Sequence, residues 1–94
     1  MKKLFIAVFI LVSTFTTSTF AEVKMGIILG FTGPIESLTP AMAASAELAF
    51  KEASDSGLLL GGEVISVVRA DSTCVDSAAA TAAAEGVIAQ GVAA

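Results

Sequence analysis

The sequence contains no histidine, tryptophan or tyrosine, and it has a single cysteine, Cys74. Without histidine, the chain has no imidazole that could act as a general acid or base near neutral pH. One cysteine cannot supply the clusters of cysteine and histidine that bind zinc. The sequence therefore predicts neither a histidine-dependent enzyme nor a dense metal site, and we expect no cofactor.

Positive charge is scarce as well. The chain has five lysine and arginine residues against nine aspartate and glutamate residues, and Lys2 and Lys3 account for two of the five. From Glu22 onwards, three basic and nine acidic side chains remain, which is a net charge of −6. Nucleic acids and anionic lipids bind basic surfaces. The sequence therefore predicts no nucleic-acid partner and no attraction to an anionic membrane surface.

The first 21 residues have the pattern of a secretory signal peptide. Lys2 and Lys3 precede an apolar run at 4–12, which is followed by a hydroxyl-rich stretch at 13–19 and by Ala21. A basic start, a short apolar segment and a small residue at the cleavage position define such a peptide. The run of nine apolar residues is shorter than the roughly 20 residues of a membrane-spanning helix. We therefore expect cleavage after Ala21, export to the periplasm and no stable membrane insertion afterwards.

Two mostly apolar runs after the signal peptide predict β-strands. The run at 24–31 is bounded by turn residues and resembles strands that are buried on both faces of a parallel sheet. The run at 63–70 is rich in β-branched residues, which favour strands. Residues 92–94 have the pattern of the first step of a further strand.

The segment between the two strands predicts a helix over 39–56. Thr39 is the predicted N-cap, Pro40 takes the first helical position, and Gly57 follows the end of the helix. Residues at helical spacing form one predicted apolar stripe: Met42, Ala46, Ala49, Phe50 and Ala53.

A second helix is predicted after the second strand. Asp76 or Ser77 is the expected cap, and the helix is expected to end near Gln90 and Gly91. Alanine is a strong helix former, so we interpret the alanine-rich stretch as a packed helix rather than a low-complexity tract. Its apolar face is predicted to contain Ala80, Ala84, Val87 and Ile88.

The alternation of strands and helices predicts an α/β fold with a parallel sheet and right-handed crossovers. Two strands and two helices cannot cover both faces of such a sheet, and 73 residues after Ala21 are few for a stable core. We therefore expect residues 22–94 to be the start of a doubly wound parallel-sheet lobe that is incomplete, preceded by the signal peptide at 1–21.

Two predicted loops, 32–38 and 71–75, lie at the carboxyl edge of the sheet, where ligands bind in open parallel α/β folds. The first loop leads into a helix N-terminus, whose free N–H groups and dipole favour an anionic group. Such a loop suits a small zwitterion with an apolar side chain. The alternative is that 32–34 form only a structural turn. The candidate ligand contacts are Thr32, Gly33, Pro34, Ser37 and Leu38.

Nucleotide binding and catalysis find less support in the sequence. Gly26, Gly30 and Gly33 match neither the dinucleotide fingerprint nor the phosphate loop. There is no Gly-x-Ser-x-Gly motif. The carboxylates near the predicted edge are best interpreted as solvated loop residues or helix caps, since no nucleophile, base and orienting group come together. These carboxylates are Glu36, Asp71 and Asp76.

One segment resembles a known protein family. The segment at 24–34, K-M-G-I-I-L-G-F-T-G-P, is similar to the first strand and loop of type I periplasmic binding proteins, in the leucine/isoleucine/valine-binding group of ABC importers. The helix segment A-S-A-E-L-A-F at 44–50 fits that group's first helix, and G-G at 61–62 and A-D-S-T-C at 70–74 also fit. The likeness covers residues 22–94.

The resemblance implies two α/β lobes that close on a small solute, usually an aliphatic amino acid, and present it to a membrane permease. It implies no enzymatic activity, and it assigns the main solute contacts to residues outside this chain. Leu38 stands where family members often carry an aromatic side chain over the ligand. In several members a cysteine equivalent to Cys74 forms a disulfide, so the resemblance implies a structural disulfide with a partner outside this chain. The alternative is a reactive free thiol.

Two other classes of function stay open. A domain of the same fold can sense a ligand and signal to a receptor or regulator instead of delivering the solute to a permease. An exported α/β enzyme is the third class, and it would need catalytic residues that the sequence does not contain.

Cleavage after Ala21 predicts that the exported chain begins at Glu22. N-terminal sequencing and intact-mass measurement of the periplasmic protein test this, and a larger residue at the cleavage position, as in Ala21→Phe, should leave the precursor uncut. An exported protein that retains residues 1–21 would contradict the prediction.

Overall fold

The structure is a computed structural model, and it describes residues 22–94. The predicted signal peptide at 1–21 lies outside the described residues. The chain forms two strands and two helices in the order β-α-β-α, with a short 3₁₀ turn at Leu59–Gly61, so the predicted α/β class is confirmed. The elements are β1 at Glu22–Leu29, α1 at Thr39–Asp55, β2 at Val64–Asp71 and α2 at Ser77–Ala89.

The two strands pair in parallel along their whole length, from Glu22 opposite Val64 to Leu29 opposite Asp71. The predicted parallel sheet is confirmed, although β1 lies two residues earlier than predicted and β2 one residue later. β1 ends at Leu29 because the chain turns there: the N–H of Phe31 donates to the carbonyl of Leu29, over 3.0 Å. The register brings the C-terminal ends of both strands to one edge of the sheet.

The two helices lie on opposite faces of this sheet. Arg69 of β2 and its register partner Ile27 of β1 face α1. Arg69 donates to Glu47 of that helix, and Ile27 is buried. Gly26, next to Ile27, faces the side of the sheet away from α1, because neighbouring residues of a strand face opposite sides. A Cβ built on Gly26 would lie 3.4 Å from a methyl carbon of Val87 in α2.

The C-terminal residues run beside β1 on the edge opposite β2. The N–H of Ala93 donates to the carbonyl of Lys24 over 2.7 Å, and the N–H of Gly26 donates to the carbonyl of Ala94 over 2.8 Å. From the first bond to the second, the residue numbers rise in both segments, so the two segments run in the same direction, as in parallel pairing. Residues 92–94 are not part of a strand, yet their position agrees with the prediction of an incipient one.

Helix α1 has a different start from the one predicted. Leu38, not Thr39, is the N-cap residue, and it makes no side-chain capping bond. Thr39 lies inside the helix, fully buried, and its hydroxyl donates to the carbonyl of Gly30 over 3.0 Å. The hydroxyl satisfies a buried carbonyl where the chain leaves β1, so the prediction of Thr39 as the cap was wrong.

This anchor also determines which side of α1 is buried. Ala43, one turn after Thr39, is fully buried, whereas Met42 is 54% exposed and Ala49 is exposed. Including those two residues in the apolar stripe was therefore wrong. The other three members of the predicted stripe, Ala46, Phe50 and Ala53, are half-buried.

Helix α2 begins and ends as predicted. Oδ1 of Asp76 accepts a hydrogen bond from the N–H of Ala79 over 2.7 Å, which makes Asp76 the N-cap. Gln90 is the C-cap, and Gly91 follows with a φ of +80°. Val87 is buried as expected, but Ile88 is 68% exposed, so its assignment to the packed face was wrong.

The buried apolar core of the described residues is small, and the sheet face that α2 covers keeps two exposed apolar side chains, Ile28 and Val64. Its buried members are Ile27, Ala43 and Val87. Among residues 22–94, neither helix is long and apolar enough to cross a membrane.

Ala43 provides a test of this packing. Ala43→Leu should lower the free energy of unfolding by about 1–3 kcal/mol, because the added carbons have no space between α1 and the sheet. Ala44→Leu is the matched control, since Ala44 is exposed on the same helix and a change within about 0.5 kcal/mol is expected there. Urea unfolding followed by circular dichroism measures both, and equal effects would contradict the assigned packing of α1.

Candidate functional site

The loops that follow β1 and β2 lie side by side at the carboxyl edge of the sheet. The register places Asp71 opposite Leu29, and the N–H of Ser72 extends the pairing by donating to the carbonyl of Leu29 over 2.9 Å. Beyond this bond the two strands continue as the loops 30–38 and 72–76. The predicted neighbourhood of the two strand-end loops is therefore confirmed.

One carboxylate joins these loops. The hydroxyl of Thr32 donates to Oδ2 of Asp71 over 2.5 Å, and the N–H of Thr32 approaches Oδ1 at 3.3 Å. On the other loop, the N–H of Thr73 donates to Oδ1 over 2.8 Å. We call this group, formed by Thr32, Asp71 and Thr73, the Asp71 clasp.

The clasp favours the charged form of Asp71. The hydrogen bond from the Thr32 hydroxyl is the main cause that lowers the pKa of the Asp71 carboxyl below its ordinary value, followed by the bond from the N–H of Thr73. Partial burial raises that pKa and offsets only part of the effect. Asp71 is therefore ionised at neutral pH. An ionised carboxylate only accepts hydrogen bonds, so the hydroxyl of Thr32 must be the donor.

Two glycines allow the loops to approach closely. Gly33 has a φ of +99°, and a Cβ on it would lie 2.5 Å from the carbonyl oxygen of Thr73. A Cβ on Gly30 would lie 2.9 Å from the sulfur of Cys74. At position 30 the nearest atom belongs to a side chain. Position 33 requires glycine, because real Cβ atoms essentially never lie below 3.0 Å from another heavy atom and the atom met there is backbone. Gly33 therefore lies in close backbone approach to the neighbouring loop of the same chain.

The loop after β2 has an unusual backbone. Thr73 and Cys74 both have positive φ angles, 58° and 57°. Residues other than glycine rarely adopt this conformation, and it persists only where the surroundings impose it. The hydroxyl oxygen of Thr73 is buried without a hydrogen-bond partner among the described residues. The bond from the N–H of Thr73 to Asp71 is one contact that holds this strained turn.

The structure separates the five candidate ligand contacts into two groups. Thr32 and Gly33 lie against the loop after β2, through the clasp and through the close approach to Thr73. The other three are exposed, and they lie further along the first loop, in the turns that lead into α1: Pro34, Ser37 and Leu38.

The N-terminus of α1 differs from the anion site that the sequence predicted. The N–H groups of Leu38 and Thr39 both donate to the carbonyl of Ile35, over 2.9 and 3.3 Å. Pro40 has no N–H to offer. The N–H groups of Leu38 and Thr39 are therefore not free, because the preceding turn already uses them.

Two of the three carboxylates at the edge are as the sequence predicted, since Asp76 caps α2 and Glu36 is exposed. Asp71 is neither a solvated loop residue nor a helix cap, because it ends β2 and holds the clasp. Among residues 22–94, no group of three side chains of the metal-binding types comes together. No enclosed pocket forms within the same residues, so the edge is an open wall.

An ion pair beside the edge was not foreseen from the sequence. Nε and Nη2 of Arg69 donate to the two carboxylate oxygens of Glu47 over 2.6 and 2.8 Å. The guanidinium also lies 5.4 Å from the ring centre of Phe31. The shared hydrogen bonds lower the pKa of Glu47 and raise that of Arg69. The spacing of 22 residues hid this pair from local pattern analysis.

Cys74 is exposed and carries a free thiol. Its sulfur lies 3.5 Å from the hydroxyl oxygen of Ser72 and packs against Gly30. The thiol is thus at the same edge as the clasp. The disulfide implied by the sequence resemblance needs a partner outside this chain and stays a prediction.

The fold and its edge define a class of structure: a parallel β-α-β-α unit whose two strand-end loops are joined by hydrogen bonds. Comparisons of the chain with protein-family models, with curated proteins and with solved structures gave no match. Membership of the periplasmic binding protein family, which the sequence resemblance implies, therefore stays a prediction.

The close approach at Gly33 generates a test. Gly33→Ala should destabilise the chain more than Gly57→Ala, because both glycines have positive φ but a Cβ meets an oxygen atom only at position 33. The control Gly57→Ala should cost about 1 kcal/mol from the backbone conformation alone, and Gly33→Ala at least about 1 kcal/mol more. Chemical unfolding measures the difference, and equal losses would contradict the contact between the loops.

Proposed function

We propose that this chain is part of the solute-binding component of an ABC importer. In this function it is exported to the periplasm, captures an aliphatic amino acid or a similar small solute, and passes it to a membrane permease without catalysis. The observation that carries the proposal is the pair of joined loops at the carboxyl edge of a parallel sheet. Open α/β folds bind their ligands beyond this edge.

The arrangement of the strands supports a doubly wound lobe. β2 lies on one side of β1, and residues 92–94 are hydrogen-bonded to its other side. The chain therefore reverses direction across the sheet after β2. With right-handed crossovers, such a reversal puts successive helices on opposite faces, which is where α1 and α2 lie. Ligands of doubly wound folds bind at this point of reversal, next to the loop after β1.

The surface of the first loop supports a small, partly apolar solute. Leu38 is 61% exposed at the start of α1, and Ser37 beside it offers a hydroxyl. A ligand site of a solute carrier surrounds most of its ligand, and residues 22–94 provide one open wall. We therefore propose that binding needs a second wall and that residues 22–94 alone bind no amino acid tightly.

The use of the carboxylates supports a carrier over an exported enzyme. Asp71 and Asp76 are both occupied by hydrogen bonds from the chain itself. Neither lies beside a nucleophile and a base in the arrangement that acyl or phosphoryl transfer requires. The sequence resemblance to the leucine/isoleucine/valine-binding group favours an amino acid as the solute, and it extends the proposal to a disulfide at Cys74.

Calorimetry tests the proposal directly. The exported product of the complete reading frame that contains this chain is titrated with L-leucine, L-isoleucine, L-valine and L-alanine, each alone. At least one should bind with a micromolar dissociation constant, whereas residues 22–94 alone should give no heat of binding. Leu38→Ala should weaken the binding about threefold or more, because it removes an apolar contact.

Leu58→Ala is the matched control for Leu38→Ala. Leu58 is also an exposed leucine, but it lies at the end of α1, at the opposite edge of the sheet, so its loss should leave the affinity unchanged. Absence of binding by any of the four amino acids would contradict the proposed solute class. Equal losses in the two variants would contradict the proposed binding edge.

A further inference from the structure

Asp71 lies at the proposed binding edge, and the role assigned to it below rests on the function proposed above. Asp71 is the last residue of β2, and its two carboxylate oxygens reach both strand-end loops. The sequence predicts a solvated loop carboxylate or a helix cap at this position. The hydrogen bonds give it a more specific position.

We propose that Asp71 is the positioning residue of the binding edge: it joins the two loops and makes Thr32 a hydrogen-bond acceptor towards the solute. The hydroxyl of Thr32 has one proton, and this proton is used in the bond to Asp71. The oxygen of Thr32 keeps only acceptor capacity for any other partner. Thr32 is exposed, so this acceptor is accessible at the edge.

This arrangement favours one end of an amino acid. An acceptor backed by an ionised carboxylate attracts donor groups, and an ammonium group is the strongest donor that an amino acid carries. Fewer N–H groups at the start of α1 are available to bind the carboxylate end of the solute, since those of Leu38 and Thr39 already donate to Ile35. The edge therefore binds the ammonium end of the solute rather than its carboxylate end.

The clasp also fixes the shape of this wall. Thr73 and Cys74 hold positive φ angles in the loop next to Thr32, and the N–H of Thr73 is tied to the same carboxylate. Without Asp71, the strained turn loses this bond and Thr32 loses its partner. The binding edge would then have to be ordered by the solute, which lowers the affinity.

The experiment compares four variants of the product of the complete reading frame: Thr32→Val, Thr32→Ser, Asp71→Asn and Asp55→Asn. Calorimetry uses whichever of L-leucine, L-isoleucine, L-valine and L-alanine binds the wild-type protein most tightly. Thr32→Val and Asp71→Asn should each weaken binding about fivefold or more, since hydrogen bonds to charged groups are among the strong ones. Thr32→Ser keeps the hydroxyl and should restore most of the affinity that Thr32→Val loses.

Asp55→Asn is the control for removing one negative charge. Asp55 pairs with Lys51 on the exposed side of α1, at the end of the helix away from the loops, and its loss should leave the affinity unchanged. The double variant of Thr32→Val and Asp71→Asn should bind no more weakly than the weaker of the two single variants, because both remove the bond between Thr32 and Asp71.

A spectroscopic measurement separates positioning from general stability. Carbon-detected NMR follows the titration of the Asp71 carboxyl, whose pKa should be below the ordinary value in the wild type and in Thr32→Ser. Thr32→Val should raise it, since the bond from the hydroxyl is the largest cause of the lowering. An unchanged titration in Thr32→Val would overturn the clasp.

The binding results distinguish this inference from the proposed function. If the wild type binds an amino acid but Asp71→Asn and Thr32→Val bind it equally well, the positioning role is wrong and the solute-carrier function stands. The same holds if Thr32→Ser is as weak as Thr32→Val, because the hydroxyl is then not the group that matters. If the wild type binds none of the four, the carrier function and the positioning role both fall.

Discussion

The parallel pairing of β1 with β2 is the constraint on which the rest of the structure depends. Its register sets Asp71 opposite Leu29, and the carboxylate therefore lies within reach of the loop that follows β1. A shift of one residue would turn the Asp71 side chain to the other face of the sheet. The clasp, the approach of Gly33 to Thr73 and the position of Cys74 against Gly30 all follow from that single alignment.

The local signals of the sequence were sufficient for the elements themselves. A mostly apolar run predicted β1 and a β-branched run predicted β2, both to within two residues. Asp76 and Gly91 marked the ends of α2, because capping depends on bonds between near neighbours. Thr39 shows where such signals fail. Its hydroxyl suits an N-cap, yet it bonds to the carbonyl of Gly30, nine residues back. That tertiary contact turned α1 so that Ala43, and not Met42, is buried.

The candidate site was predictable in location but not in mechanism. The order of strands and helices was enough to place the two loops at one edge. The partners within them, Thr32 with Asp71 and Arg69 with Glu47, are separated by 39 and 22 residues. No periodicity in the sequence encodes such distances, since they depend on the strand register and on the side of the sheet that α1 covers. An aspartate at the end of a strand, next to hydroxyl residues, was the one available signal.

The edge is built mainly from backbone and from small residues, which explains how it can be both close-packed and open. Gly30 and Gly33 remove the side chains that would keep the loops apart, while Thr73 and Cys74 accept strained angles to complete the turn. Strain of this kind survives only where other contacts impose it, and the bonds to Asp71 provide them. A wall that is ordered before a solute arrives loses less entropy on binding. The same carboxylate that sets the chemistry of Thr32 therefore also preorganises the surface on which a solute would bind.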